Sequence, residues 1–492
     1  MSAIGAVPEG DFPSLGKNLS DIAARKPNDV AVIFEGQSVT WAELDKRSNR
    51  IARALQKRGA KFADFVTIAL PNGIGFIEAC YAIWKIGATP QPVSSRLPLA
   101  ELKALVELAE TPVVFGNMDA DVGKPIVTID ELLAESKDDS PLPDVIAPSW
   151  KAPTSGGSTG RPKLIVSGQP GVATGISAEF WRIDEDDVVL MPGPLYHNGP
   201  LITTLGALQV GARVVIMPKF DAEATLRETA RHKATWVYLV PTMMGRIWRL
   251  PEEVRNSYDA SSLRTVWHLA APCPPWLKEE WINWLGAEVI MELYGGTEGV
   301  ATTVITGEEW LKHRGSVGKV AQGGIMKVFD ADGNELPTGE TGEVFMKRAE
   351  GMPVTYRYVG ATPRILPGGW ESIGDIGYFD ADGYLYLADR RTDMILVGGA
   401  NVYPAEIEAA LEEHPLVASC AVVGLPDEDL GNRVHAIVQP RGSLDAEELM
   451  RHLGERLVIY KRPRSFEFVN EPLRDDAGKV RRTALRDERI KK

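Results

Sequence analysis

Short apolar runs alternate with amphipathic stretches from the start of the chain to about residue 390 of its 492. Phe65–Leu70 has the composition of a buried strand, Ile74–Ile86 has helical spacing, and Thr89–Val93 is a second extended piece. The same strand–helix–strand order recurs, with further strands predicted at Pro112–Phe115, Val188–Leu190, Arg213–Met217, Thr235–Val240 and Thr265–Leu269. This repetition predicts an α/β fold in which helices cover parallel sheets.

Two Asp-Gly turns mark a different pattern between about residues 315 and 390. Asp330–Gly333 and Asp380–Gly383 each lie between alternating apolar residues. Because both lack the third acidic position and the distal glutamate of an EF-hand, they predict hairpins in a small antiparallel barrel or sheet. From Arg391 onward a compact unit is predicted, with elements at Pro404–Glu413, Val417–Val423, Val434–Val438 and Ala446–Leu457. We therefore expect domains at residues 1–390 and 391–492.

The charge balance disfavours two classes of partner. The chain has 54 Lys+Arg against 67 Asp+Glu, and its net charge of −13 repels phosphate backbones and anionic lipid. Its three cysteines lack the spacing of a disulfide framework or zinc site, which fits a reducing compartment. There is no signal-peptide pattern, and no apolar run approaches the roughly 18 residues that span a bilayer. We expect a cytoplasmic protein without nucleic-acid partners or stable membrane insertion; the sequence leaves a homodimer open.

A segment rich in glycines and hydroxyls, Thr154–Lys163, is the first candidate site. Glycines let backbone amides approach an anion, and hydroxyls and a lysine add further donors. These donors are Ser155, Ser158, Thr159 and Lys163. The segment is not a Walker A loop, because Gly160 is followed by Arg-Pro. The residue types favour a polyphosphate site, and a flexible surface loop is the alternative.

The second candidate site follows a predicted apolar strand. Glu292–Gly299 places Thr297 and Glu298 after two glycines. A carboxylate just past a strand end is suited to Mg²⁺, which prefers oxygen ligands and usually bridges to a substrate phosphate. A turn with a solvated Glu298 is the alternative.

Three further segments carry less information individually. Asp375 could accept hydrogen bonds from ribose hydroxyls with Arg390 as its complement, although an ordinary buried Asp–Arg pair explains the same residues. Lys479 follows a glycine on a predicted loop and could reach a cleft between domains, although a solvated basic tail is the commoner explanation. His197 is a lone histidine, for which a structural role is the alternative.

Taken in order, these five segments resemble the motifs of the adenylate-forming superfamily, which includes acyl-CoA synthetases, peptide-synthetase adenylation domains and firefly luciferase. The resemblance extends from about Thr40 to Arg486, and Asp389–Glu408 is especially characteristic. It implies a large N-terminal domain with two helix-flanked, mainly parallel sheets and a small β-barrel-like subdomain, followed by a small mobile α+β domain. It also implies two reaction steps, in which ATP and a carboxylic acid give acyl-AMP and pyrophosphate, and the thiol of coenzyme A then displaces AMP.

The resemblance also implies roles for individual residues. The β- and γ-phosphates of ATP would be bound by Ser155, Ser158, Thr159, Gly160 and Lys163. Thr297 would contact the α-phosphate, and Glu298 would bind Mg²⁺. The adenosine would be held by Ala271, Pro272, Tyr294, Asp375 and Arg390.

The resemblance assigns Lys479 to the lysine that bridges the substrate carboxylate and the α-phosphate during adenylation. The C-terminal domain would then rotate about Thr392, so that the loop with Gly398, Gly399 and Asn401 lines the pantetheine tunnel. The hinge in this superfamily is commonly Asp or Lys, so Thr392 is a departure. The residues just before the Gly-Lys core of the Lys479 loop depart as well.

The thiol acceptor and the acid are the open choices. Coenzyme A is favoured because no carrier module follows; the alternatives are an acyl-AMP ligase that loads a separate carrier protein and an inactive nucleotide-binding relative. His197 resembles the gate residue beside the acyl pocket. An open pocket is expected at Asn198, Gly199, Gly295 and Gly296, with walls from Trp236, Tyr238, Met243 and Trp267. Such a pocket predicts a bulky apolar acid, whether aromatic, medium-chain or sterol-derived.

Overall fold

The computed structural model describes residues 12–154, 162–173, 178–321, 323–475 and 478–490. The helices of this part of the chain are α1 (Leu15–Arg25), α2 (Trp41–Lys57), α3 (Ile74–Lys85), α4 (Leu99–Leu108), α5 (Ile129–Glu135), α6 (Ala178–Trp181), α7 (Asn198–Val210), α8 (Ala222–His232), α9 (Pro241–Trp248), α10 (Glu252–Arg255), α11 (Pro275–Leu285), α12 (Gly307–Trp310), α13 (Pro404–Glu412), α14 (Ala446–Gly454) and α15 (Arg482–Ile490). None of them is long and apolar enough to cross a membrane.

The strands of the same residues are β1 (Val30–Phe34), β2 (Gln37–Thr40), β3 (Phe65–Ala69), β4 (Thr89–Pro92), β5 (Val114–Gly116), β6 (Ile126–Val127), β7 (Leu164–Ser167), β8 (Val188–Met191), β9 (Arg213–Ile216), β10 (Trp236–Leu239), β11 (Thr265–His268), β12 (Ile290–Gly295), β13 (Thr302–Thr306), β14 (Ser316–Val320), β15 (Gly324–Phe329), β16 (Gly342–Arg348), β17 (Tyr356–Val359), β18 (Arg364–Leu366), β19 (Trp370–Ser372), β20 (Asp375–Phe379), β21 (Leu385–Arg390), β22 (Ile395–Val397), β23 (Ala400–Val402), β24 (Val417–Asp427), β25 (Gly431–Pro440) and β26 (Ser465–Phe468).

Local sequence fixes where several helices begin. Thr40 accepts a hydrogen bond from the backbone of Glu43, and the Glu43 carboxylate accepts one from the backbone of Thr40, which caps α2. Thr128 and Glu131 cap α5 in the same way. Helix α3 is apolar on nearly all sides because it is buried between sheets. The predicted strand–helix–strand unit at residues 65–93 is present as β3, α3 and β4.

Two parallel sheets carry most of the chain before residue 300. The larger sheet has the parallel order β1–β9–β8–β10–β11–β12, and the smaller has the order β4–β3–β5–β6. Helices pack on both, and the central core is rich in fully buried tryptophans such as Trp84, Trp236 and Trp267. The predicted α/β class with two mainly parallel sheets is confirmed.

The antiparallel strands after residue 300 extend the larger sheet. Strand β13 pairs with both β12 and β14, and β14 continues to β21, β20 and β16. The predicted Asp-Gly hairpin joins β20 to β21, where the Asp380 amide donates to the Tyr384 carbonyl. This connection ties the antiparallel region to the edge of the parallel sheet where β12 ends.

The C-terminal part has its own sheet and apolar core. Strands β24 and β25 are antiparallel, β26 pairs in parallel with β25, and α13 and α14 pack with them. Its core contains buried residues such as Val402, Leu411, Val438 and Leu449. The predicted strands are present but longer, because β24 and β25 form an extended ribbon. The domain boundary at 390/391 remains a prediction.

Candidate active site

The site begins at the carboxyl ends of β11 and β12. These strands are parallel neighbours, with His268 opposite Glu292, so their ends meet at one edge of the sheet. Ala271 and Pro272 follow β11, and Tyr294 lies in β12. Thr297 and Glu298 lie in the turn after β12, which the Gly299 amide closes by donating to the Gly296 carbonyl at 3.1 Å.

Glu298 lies in a cluster with Lys163 and Tyr358. The Tyr358 hydroxyl donates to Oε1 of Glu298 at 2.6 Å. Lys163 Nζ lies 4.0 Å from the same oxygen and 4.0 Å from the centre of the Tyr358 ring. Burial lowers the pKa of Lys163, and the Glu298 charge opposes that shift. The pairing of β7 with β17 creates this cluster, because it sets Tyr358 opposite Ile165, two residues after Lys163.

A second cluster joins Asp375, Arg390 and Tyr294. Asp375 and Arg390 face each other across β20 and β21, and Arg390 Nε lies 3.3 Å from Asp375 Oδ1. The Tyr294 hydroxyl donates to Asp375 Oδ2 at 2.6 Å. Burial raises the pKa of Asp375, while the nearby Arg390 opposes the shift. The sheet therefore brings together three residues that the sequence predicted for one nucleotide.

Lys479 reaches these clusters from the C-terminal part. Gly478 has φ +75°, and a Cβ there would lie 2.3 Å from Thr242 Oγ1 at the start of α9. Although Lys479 exposes part of its surface, burial around its ammonium lowers its pKa, as does Arg390, while Glu298 opposes the shift. Arg390 also lowers the pKa of Lys163, and Glu298 also opposes that shift. The two predicted lysines therefore share one electrostatic environment.

His197 lies just before α7 and faces the same charges. Its pKa is lowered to about 4, first by burial and then by Lys479, whereas Asp475 opposes the shift. Its Nε2 is buried and has no hydrogen-bond partner among the described residues. The imidazole is consequently neutral at pH 7.

Several predicted residues are not part of this cluster. Ser155, Ser158, Thr159 and Gly160 lie outside the described residues. Gly398 and Gly399 form the turn between β22 and β23, with φ +54° and +85°. The Gly398 amide donates to the Leu430 carbonyl at 2.9 Å, within the C-terminal part. Asn401 lies in β23 on the same unit. Described contacts tie this loop to its own domain rather than to Glu298.

The three glycines that suggested an open acyl pocket have close neighbours in the direction a side chain would take, and the pocket itself stays a prediction. A Cβ on Gly199 would lie 2.6 Å from the Tyr238 hydroxyl, and one on Gly295 would lie 2.7 Å from Thr302 Cγ2. A Cβ on Gly296 would meet the Glu298 carboxylate. These glycines admit a neighbouring side chain instead of leaving a space. The predicted walls are core residues: Trp236 and Trp267 are fully buried, and both indoles donate to the Trp181 carbonyl.

Sequence reasoning missed two residues of the site. Tyr358 holds Glu298, but nothing in the sequence shows which strand pairs with β7. Lys151 is buried, and its Nζ donates to Asn198 Oδ1 at 2.5 Å. A signal for Lys151 was present, because a lysine within the apolar run Trp150–Pro153, just before the glycine-rich segment, is unusual for a buried extended stretch.

Comparisons with known proteins give matches along most of the chain. The family model described as AMP-binding enzyme matches residues 19–356, and the model of the AMP-binding enzyme C-terminal domain matches residues 406–479. The chain is 31% identical to a fatty acid–[acyl-carrier-protein] ligase from Streptomyces coeruleorubidus, over 94% of each chain. It is 31% identical to a feruloyl-CoA synthase from Amycolatopsis sp, over 94% of this chain and 96% of the relative.

The solved structures include o-succinylbenzoate CoA synthetase from Bacillus subtilis in complex with its acyl-adenylate intermediate. It has a TM-score of 0.82 and 27% identity, covering 96% of this chain and 98% of the synthetase. Another structure of that synthetase holds ATP and a magnesium ion, with a TM-score of 0.80.

Proposed function

The chain belongs to the AMP-binding enzyme family, and from this premise we propose how its residues join a carboxylic acid to coenzyme A at the expense of ATP. The observation that carries the proposal is that the Lys479 loop packs through Gly478 against Thr242, where Arg390 and Glu298 both act on the pKa of Lys479 and Lys163 lies 4.0 Å from Glu298. Lys479 comes from the C-terminal part, and Lys163, Glu298 and Arg390 come from the rest of the chain. A nucleotide bound between the two parts would contact both.

The nucleotide is held by residues at the strand ends. Glu298 supplies carboxylate oxygens suited to Mg²⁺, which when bound offsets negative charge on the phosphates. Lys163 lies beside it and binds the β- and γ-phosphates together with Ser155, Ser158, Thr159 and Gly160. Thr297 contacts the α-phosphate. The adenosine is bound by Ala271, Pro272, Tyr294, Asp375 and Arg390; Asp375 retains lone pairs for ribose hydroxyls beyond its bonds to Tyr294 and Arg390.

Lys479 acts in the first step. A carboxylate oxygen of the acid attacks the α-phosphorus, the bond to the leaving pyrophosphate breaks, and acyl-AMP forms. Negative charge accumulates around the phosphorus during this attack, and the Lys479 ammonium stabilises it. His197 is neutral and therefore adds no positive charge that would compete with the ammonium for the substrate.

The second step requires the Lys479 loop to leave. We infer that residues 391–492 rotate as a body about Thr392, supported by the separate apolar core of that part. Rotation would bring Gly398, Gly399 and Asn401 to the tunnel for pantetheine. The thiol of coenzyme A loses its proton to solvent, its sulfur attacks the acyl carbon, and AMP leaves with the bonding electrons.

The acid is a bulky apolar one, and aromatic acids are the first class to test. Support comes from relatives named for feruloyl, indoleacetate and succinylbenzoate substrates, at 29–31% identity. The ring of Tyr196, whose centre lies 4.3 Å from that of His197, also suits a ring-bearing acid. We further propose a cytoplasmic location, which the three free cysteines favour.

A second acceptor is supported by one specific relative. The fatty acid–[acyl-carrier-protein] ligase is as similar as the feruloyl-CoA synthase, at 31% identity. The alternative function is therefore loading of a separate carrier protein from the same acyl-AMP.

One assay tests the proposal and its alternative. Pyrophosphate release is measured against a panel of aromatic, medium-chain, sterol-derived and short acids, with and without coenzyme A. A coenzyme A ligase gives an acyl-CoA product and multiple turnovers only with coenzyme A. A carrier-loading enzyme forms acyl-AMP but gives no acyl-CoA. Failure to consume ATP with every acid would reject both functions, and fast turnover of acetate alone would reject the bulky acid.

A further inference from the structure

A third lysine lies beside the site, and neither reaction step described above uses it. Lys151 is only 7% exposed, and its ammonium donates to Asn198 Oδ1. Among the residues that the structure describes, no carboxylate forms an ion pair with it. The Trp150 ring, whose centre lies 5.1 Å from the ammonium, offsets part of the cost of burying this charge, but it does not replace an opposite charge. Burial accordingly lowers its pKa to about 8, while Glu298 opposes the shift.

The backbone around Lys151 is held on both sides. The Ala152 amide donates to the Pro90 carbonyl at 2.9 Å, and the Ser167 amide donates to the Lys151 carbonyl at 3.0 Å. The side chain therefore leaves a fixed strand-like segment between β4 and β7. It ends at Asn198, the first residue of α7, directly after His197. Asn198 is therefore next to His197, whose pKa Lys479 lowers.

The beginning of α7 adds a second positive feature. The helix has 13 residues, no acidic residue in its first turn and no side-chain cap. Its amino-terminal end carries a partial positive charge, which would repel the Lys151 ammonium. The Lys151 ammonium and the amino-terminal end of α7 can lie close together when an anion between them offsets both positive charges.

The hydrogen bond also fixes the orientation of the Asn198 amide. An ammonium can only donate, so the contact must be with the amide oxygen, and the Nδ2 group is left free to donate elsewhere. Among the described residues, Nδ2 has no acceptor. Lys151 thus orients a donor beside His197.

We propose that Lys151 and Asn198 bind the carboxylate of the incoming acid. Asn198 Nδ2 donates to one carboxylate oxygen, and Lys151 orients the amide and supplies positive charge. This inference rests on the function proposed above. Lys163 lies at Glu298 and serves the phosphates, whereas Lys151 serves the acid. Because the carboxylate loses its charge when its oxygen bonds to phosphorus, the contact favours the free acid and acts mainly on its KM.

Two substitutions separate this role from a structural one. Lys151→Met keeps the length of the side chain and removes the charge. Asn198→Asp keeps an acceptor for Lys151 and gives it an ion pair, but it removes the donor and adds a negative charge facing the acid. Each variant is expected to raise the KM for the acid at least tenfold and to leave the KM for ATP within twofold. Lys163→Met is the contrasting variant, expected to raise the KM for ATP instead.

The outcomes are distinct. The inference is overturned when wild-type enzyme adenylates an acid and Asn198→Asp keeps the wild-type KM for that acid. It is also overturned when the KM values for acid and ATP rise together in both variants. The thermal melting temperature of Asn198→Asp should be unchanged or higher, which excludes a folding defect. Wild-type enzyme that adenylates no acid rejects the proposed function itself, and this result is obtained before any variant is measured.

Discussion

At the scale of single residues, Tyr358 holds the candidate magnesium ligand in place. Its hydroxyl donates to Glu298, and its ring lies against Lys163. Tyr358→Phe keeps the ring and removes the hydroxyl. A hydrogen bond to a charged group contributes about 1.5–3 kcal/mol, so pyrophosphate release at limiting Mg²⁺ should fall roughly tenfold or more. Raising Mg²⁺ should recover most of the rate, as measured by initial rates over a magnesium series.

Tyr356 provides a matched control on the same strand. Its hydroxyl donates to Glu371 rather than to Glu298. Tyr356→Phe should leave the magnesium dependence unchanged. Equal shifts in both variants would mean that the strand, and not the bond to Glu298, controls the metal site.

Lys479 is expected to serve one half-reaction only. Removing a preorganised contact to a developing oxyanion costs about 3–4 kcal/mol, or on the order of a hundred- to thousandfold in rate. Lys479→Ala should lose adenylation by this factor. It should still form thioester from supplied acyl-AMP and coenzyme A, since Lys479 has no part in that step. Single-turnover assays of the two half-reactions measure the split, and equal losses would contradict the assigned role.

The half-buried His197 gives the folded protein an acid-sensitive group. Its pKa is about 4 in the folded state, below its ordinary value of 6.5, because burial and Lys479 disfavour the imidazolium. As pH falls below 6.5, the unfolded chain binds a proton that the folded chain does not, and stability is lost down to about pH 4. In urea denaturation, the free energy of unfolding of His197→Asn should fall less between pH 6.5 and 4.5 than that of wild type. An identical pH dependence would place the histidine in solvent.

At the scale of elements, the contact of Gly478 with α9 decides whether Lys479 can enter the site. A Cβ at Gly478 would collide with Thr242 Oγ1. Gly478→Ala should therefore reduce adenylation by at least tenfold and leave thioester formation from acyl-AMP intact. The double variant Gly478→Ala with Thr242→Ala should recover adenylation, because the colliding oxygen is gone. Half-reaction assays check both statements.

A variant at Gly431 distinguishes the effect of the collision at Gly478 from the effect of backbone strain. Its φ is +76°, against +75° for Gly478, but a Cβ there would meet nothing within 4 Å. Gly431→Ala carries the same left-handed strain and should leave both half-reactions near wild type. A loss of adenylation in Gly431→Ala would show that strain alone explains the Gly478 variant.

Patterns within one element were readable from the sequence, and pairings between distant elements were not. The strand–helix order predicted β3, α3 and β4 closely, because apolar periodicity is a local property. The cluster around Glu298 depends on β7 pairing with β17, which local sequence does not specify. Gly199 was misread for a related reason: a glycine can leave space or admit a neighbour, and here Tyr238 fills the space.

At the scale of the whole molecule, Arg249 joins the two parts of the chain. Its guanidinium donates to the Glu412 carbonyl at 2.8 Å and lies 5.3 Å from the centre of the Trp276 ring. Arg249 follows α9, the helix that Gly478 contacts, so both features hold the C-terminal part in the arrangement that admits Lys479. The proposed rotation of that part would require the same contact to break.

Loss of this contact should therefore act on the two half-reactions in opposite ways. A charged donor contributes about 1.5–3 kcal/mol, so Arg249→Ala should lower the adenylation rate by about tenfold. Thioester formation from acyl-AMP should be unchanged or faster, because the arrangement that competes with it has lost stability. Arg255→Ala is the matched control, since that guanidinium stacks on Trp248 within the same part of the chain. If both half-reactions of Arg249→Ala slow equally while Arg255→Ala is unaffected, the arginine supports the fold of the site and does not bias the rotation.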